Sequence, residues 1–154
     1  MKFDLKGSVV GKQQIKIDAP VTAVWATLTG INDWHKWQTG VRNTKFLNDL
    51  EPGATFTYKS GIRKFRSTII SCEPFHAIGW CAKTAGASKT LSWILESENK
   101  FTNVFIEAWM EGLFVGLLKG TFNNKLQHDL AHLLRELKSA CEKKVVEQQE
   151  TQQA

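Results

Sequence analysis

A chain of 154 residues, 42% of them apolar, can bury one core unaided and is short for two ordinary domains. The formal charge of +5 invites an anionic partner, but Lys and Arg are scattered, and the densest patch, Arg63-Lys64-Phe65-Arg66, divides between the two faces of one strand; a solvated basic surface, with no nucleic acid bound, is the reading that follows. No apolar run approaches the ~20 residues of a membrane span, and MKFDLKGSVVGKQQ lacks the apolar stretch of a signal peptide, so the expected location is cytoplasmic.

In chain order, SVVGKQQIKI (8–17) alternates loosely and is rich in β-branched residues, which predicts a strand. DAP ends it, with Asp18 as the expected helix cap and Pro20 in the first turn. VTAVWATLTG then spaces Val21, Val24, Trp25 and Leu28 as a helix does, and Gly30 stops it. INDWHKW predicts a second short helix capped by Asn32 or Asp33.

Six strands follow, NTKFLN, ATFTYKS, RKFRSTIIS, HAIGWCAKT, KTLSWILES and FTNVFIEAWME, separated by short turns such as Pro52-Gly53, Ser60-Gly61 and Ala85-Gly86. Turns this short join antiparallel neighbours. After Gly112 the apolar period becomes helical: Leu126, Leu133, Leu134, Leu137 and Cys141 fall within about 60° of Leu130 at ~100° per residue, predicting one amphipathic helix over 120–144. The glutamine-rich end, 147–154, is expected to fray, leaving 1–146 as one domain.

The passages IDAPVTAVWATLTGINDWHKWQTGV, LEPGATFTY, CEPFHAIGWCAK and FTNVFIEAWMEG, with the long helix behind them, resemble the START-like helix-grip fold, shared with the birch-pollen allergen family. The resemblance, over residues 8–143, is more specifically to the polyketide cyclase/dehydrase group of the SRPBCC superfamily. It implies an α+β architecture: a seven-stranded curved antiparallel sheet wrapped around a long C-terminal helix, two short helices between strands one and two, and a cavity between sheet and helix. In this resemblance Trp37 matches the tryptophan that precedes the first strand after the helices, and NDWHKWQTG is the helical gate of the cavity.

Alternation indicates which side chains face that cavity. Val104, Ile106, Ala108 and Met110 form one apolar set, whereas Phe105 and Trp109 share the other parity with Asn103, Glu107 and Glu111. The expected lining is Trp34, Trp37, Phe56, Tyr58, Phe65, Ile69, Trp80, Trp93, Ile106, Met110, Phe114, Leu117 and Leu118. Plain core packing is the competing reading for each of them. Phe101, Phe105 and Trp109 recur on the outer parity, which makes that face the candidate surface for a homodimer or another protein.

Catalytic and metal-binding patterns are weak. HDLAH (128–132) mimics the H-E-x-x-H zinc helix, but His128 and His132 lie at about 160° from Leu130 on either side, opposite the apolar stripe, with no third ligand. His35 is offset by about 100° from its neighbours and is expected to look sideways or outward, and His76 falls in a turn. Cys72, Cys81 and Cys141 are odd in number and widely spaced, hence neither a disulfide framework nor a metal knuckle but inert thiols. Tyr58, Ser67, Thr121 and, with a one-residue register shift, Arg63 or Arg66 are the polar groups that could face the cavity.

The expectation is therefore a protein that encloses a small hydrophobic molecule, a lipid, a polyketide-like ring system or an aromatic metabolite, with no cofactor and no metal. The alternatives are a cyclase or dehydratase acting on a polyketide-like substrate and a protein-interaction module. A buried, hydrogen-bonded pair of ionisable groups in the cavity would favour the enzyme reading, and an all-apolar pocket the carrier reading.

Overall fold

The structure, a computed structural model, describes residues 8–112, 115, 116 and 118–153. β1 (Ser8–Ile17) leads to α1 (Val21–Thr29) and a 3-10 helix (Ile31–Lys36). Then come β2 (Val41–Lys45), β3 (Thr55–Ser60), β4 (Arg63–Glu73), β5 (Ala77–Thr84), β6 (Ala87–Glu98), β7 (Phe101–Gly112) and the long helix α2 (Lys119–Gln153). The strands make one sheet in the order β1-β7-β6-β5-β4-β3-β2, every neighbouring pair antiparallel. The two short helices carry the chain to the far edge, and successive hairpins step back until β7 lies beside β1. This is the helix-grip arrangement.

The tight hairpins are where the residue types demand them. Gly61 (φ 61) and Gly86 (φ 77) hold left-handed backbone in the two-residue turns between β3 and β4 and between β5 and β6, a conformation that costs glycine nothing. Phe75 has no such freedom, yet it sits at φ 68 between β4 and β5. Its ring lies 5.9 Å from that of Trp25, so the contact with α1 accompanies the strained turn.

The inner face of the sheet follows the predicted parity. Val104, Ile106 and Ala108 are buried, and Leu126, Leu130, Leu134, Leu137 and Cys141 of α2 cover them and the neighbouring strands. Each fully buried aliphatic side chain contributes about 1.5–3 kcal/mol relative to its exposed state. α2 lies closest against β1. A Cβ built on Gly11 would meet Leu130 Cδ1 at 3.0 Å and Leu126 at 3.1 Å, so the bare glycine allows this approach. Polar contacts continue along the same line: Gln13 Nε2 to Gln127 Oε1 (3.1 Å), Lys138 Nζ to the Lys16 carbonyl (2.9 Å) and the Asp18 amide to Glu142 Oε1 (3.0 Å). On its other flank α2 accepts both the amide and the hydroxyl of Thr39 at Glu136 Oε2, each at 2.7 Å.

Several local expectations are corrected. Pro20, not Asp18, occupies the N-cap of α1, and no side chain caps that helix; the Asp18 amide is engaged by Glu142 instead. Asn32 does not cap the second helix, which is of the 3-10 type. Its amide group donates to the Phe46 carbonyl (2.8 Å) and accepts from the Phe46 amide (2.9 Å), gripping the chain just after β2. Strand β2 runs Val41–Lys45 rather than 43–48, with Asn43 at φ 53 breaking its register. α2 extends to Gln153 through the glutamine-rich end, whose Glu and Gln residues are good helix formers and are exposed.

Candidate functional site

Four adjacent strands send large side chains inward at one end of the sheet: Tyr58 from β3, Phe65 from β4, Trp80 from β5, and Leu91 and Trp93 from β6. Trp34 descends on them from the 3-10 helix, and Leu133 faces them from α2. Because α2 lies against β1, this part of the inner face is covered at a distance. A cavity of about 170 Å³ remains, completed by Leu28, Gln38, Val41, Ser60 and Lys89.

The aromatic wall is a connected set. Trp34 is 3% exposed, and its indole N–H donates to the Leu28 carbonyl at 2.9 Å, which fixes the ring. It meets Phe56 edge-on (centroids 5.3 Å, 88°), Trp80 at 5.4 Å and Tyr58 at 6.2 Å. Trp80 in turn lies 6.0 Å from Trp93. Such tilted and edge-to-face pairs are favoured by the ring quadrupoles and add about 0.5–1.5 kcal/mol each beyond burial.

Of the expected lining, Trp34, Tyr58, Phe65, Trp80 and Trp93 do surround this cavity. Phe56, Ile69 and Ile106 are buried in the core cluster without lining it, and Met110 is half-buried against the same cluster. Trp37 is corrected. It belongs to a surface groove with Lys36, His132, Arg135 and Glu136. In a 3-10 helix residues three apart eclipse, which would have aligned Trp37 with Trp34, but Trp37 has left the helix (φ −132, ψ −15) and turns toward α2. Leu118 is 54% exposed, which removes it from the lining. Phe114 and Leu117 lie outside the described residues.

One functional candidate was missed. Lys89 projects into the cavity on the same parity as Leu91 and Trp93, so the alternation that identified those two pointed equally at the lysine. Burial pulls the Lys89 amine below the usual lysine range; Asp129 opposes this and Lys125 adds to it. Asp129 is itself bonded to Lys125 at 2.8 Å. Burial also pushes the Tyr58 hydroxyl up to about 12, so it is a neutral donor at any physiological pH. The indole N–H of Trp93 is buried with no hydrogen-bond partner among the described residues.

The other polar candidates lie elsewhere. Ser67 is fully buried, whereas Thr121, Arg63 and Arg66 are exposed. His35, His76, His128 and His132 are exposed as well, and His132 Nε2 lies 3.3 Å from Glu136 Oε1. Among the described residues no group of three or more His, Cys, Asp or Glu side chains is placed to hold a metal. Cys72, Cys81 and Cys141 are free thiols, and burial raises Cys141 to about 11. Phe105 and Trp109 are half-buried on the outer face of β7. Among the described residues no helix is long and apolar enough to cross a membrane.

The sequence profile of the family described as polyketide cyclase / dehydrase and lipid transport matches residues 9–142. A START superfamily protein from Mycobacterium smegmatis superposes with a TM-score of 0.77 at 10% identity, over 87% of this chain and 97% of that one. The Zhui aromatase/cyclase from Streptomyces sp. R1128 superposes with a TM-score of 0.76 at 11% identity, over 90% and 96% of the two chains. At such identities the likeness is one of fold. No curated protein matches the chain in sequence.

Proposed function

The chain belongs to the polyketide cyclase/dehydrase and lipid transport family, and from that premise we propose that it binds a small hydrophobic molecule in the cavity between β3–β6, the 3-10 helix and α2. The observation that carries this reading is the cavity itself: about 170 Å³ walled by Trp34, Tyr58, Phe65, Trp80, Leu91 and Trp93. An apolar cavity of about 150 Å³ accepts benzene, so this one has room for a one-ring or compact two-ring molecule. A longer polyketide would require the aromatic wall to open.

A cyclase or dehydratase reading is less well supported. Proton transfer needs a positioned acid and base. The titratable side chains in the lining are Tyr58 and Lys89, which are not hydrogen-bonded to each other, and among the described residues no carboxylate or imidazole accompanies them. Native mass spectrometry of the purified protein tests the binding reading. A retained apolar mass, released on Trp93→Ala substitution, is the expected result; a protein that neither retains nor takes up an aromatic molecule refutes it.

A further inference from the structure

Lys89 is the one charged side chain in the lining of the cavity among the described residues. Its amine forms no hydrogen bond or ion pair with any of them. The carboxylate that acts on it, Asp129, is already committed to Lys125, so these three groups together leave one positive charge uncompensated at the cavity wall. The same cavity is lined by Tyr58, whose hydroxyl is neutral, by Gln38 and Ser60, and by the apolar surface of Trp80, Leu91, Trp93 and Leu133. Lys89 is half-buried, and an ammonium partly shielded from water gains a strong, charge-assisted hydrogen bond when it faces a carboxylate.

We propose that Lys89 is the head-group site of the cavity and that the ligand is a small amphipathic anion, a ring system bearing a carboxylate, with its ring against Trp80, Trp93 and Leu133. This rests on the cavity-binding reading and narrows it to a ligand class. A neutral hydrocarbon would leave the Lys89 charge unanswered, and a cationic ligand would be repelled by it. The carboxylate takes the place that no protein acid fills. The charged groups that act on Lys89 are Asp129 and Lys125, both on α2, and Tyr58 on β3 is the other titratable group in the cavity lining. Binding of the anion therefore favours the protonated amine, and affinity declines as pH rises and Lys89 loses its proton.

The test is isothermal titration of the full chain with two probes of nearly equal size, 2-naphthoate and 2-naphthylmethanol. Wild-type protein should bind the carboxylate about tenfold or more tightly than the alcohol. Lys89→Met and Lys89→Gln should abolish that preference, so that the two probes bind with equal affinity, while Lys89→Arg should retain it. Equal wild-type affinities for the two probes would overturn the head-group assignment and leave the cavity reading standing. A preference that survives in folded Lys89→Gln would also overturn it. If wild-type protein takes up neither probe, the cavity reading falls and the assignment with it.

Discussion

Tyr58 and Phe65 stack face to face across the β3–β4 pair, with ring centroids 5.1 Å apart and planes 9° from parallel. They are directly opposite in the register, so the stack is a consequence of hairpin pairing and not of chance collapse. It withdraws the phenol from water on one side while Trp34 closes on it from the other.

That environment has a measurable signature, because Tyr58 is the only tyrosine in the chain. Absorbance at 295 nm should show tyrosinate forming near pH 12 in the folded protein and near 10 after unfolding. The raised value means that the folded state holds this proton more tightly. The associated stability, about 2–3 kcal/mol, is complete below pH 10 and is lost as pH rises from 10 toward 12. Urea denaturation across that window should show a steeper decline for wild type than for Tyr58→Phe.

Leu130 is fully buried and touches the position where a Gly11 side chain would stand. Leu130→Ala should cost about 2–5 kcal/mol in chemical denaturation, as large-to-small changes at buried sites do. Gly11→Val should also destabilise, by about 1–3 kcal/mol, because the new methyl groups must displace Leu126 and Leu130. A combined Gly11→Val, Leu130→Ala variant more stable than the sum of the two predicts would confirm that both changes act on one contact.

Trp34→Phe keeps most of the buried ring but removes the donor to the Leu28 carbonyl. The expected cost is about 1–3 kcal/mol, measured by thermal or urea unfolding, from the unsatisfied acceptor together with the lost part of the ring. A change below 0.5 kcal/mol, within the range of ordinary surface substitutions, would mean that this hydrogen bond does not hold the cavity roof.

Trp37 and Trp93 should separate packing from recognition. Trp37→Ala is expected to lower stability, since the ring is packed against the core cluster, and to leave binding of 2-naphthylmethanol within about twofold. Trp93→Ala should change that binding markedly, because its ring is part of the cavity wall. Equal effects of the two on probe binding would place the ligand against α2 instead.

The order of elements was legible because hydrophobic alternation and short turns leave few ways to pair six consecutive strands. Parity likewise exposed the inward faces of β6 and β7. What escaped was conformational detail decided by single torsions: Trp37 departs from its helix at one φ, and Asn43 breaks β2 with a left-handed residue that an asparagine tolerates and its neighbours do not demand. Lys89 escaped for a different reason. Its parity was plain, but a lysine is ordinarily read as solvated, and only the assembled cavity wall shows that this one belongs to it.

The glycine at position 11 draws α2 down on one border of the sheet, and the aromatic chamber opens beneath the other. Along the contact with β1 the helix engages through Leu126, Gln127, Leu130, Lys138 and Glu142, while Leu133 is its representative in the chamber wall. On the cavity-binding reading, foldedness and ligand choice are thus written in nearly separate alphabets. A lineage could exchange Phe65, Lys89 or Leu91 to suit a new molecule while the border that keeps the helix in place goes unedited.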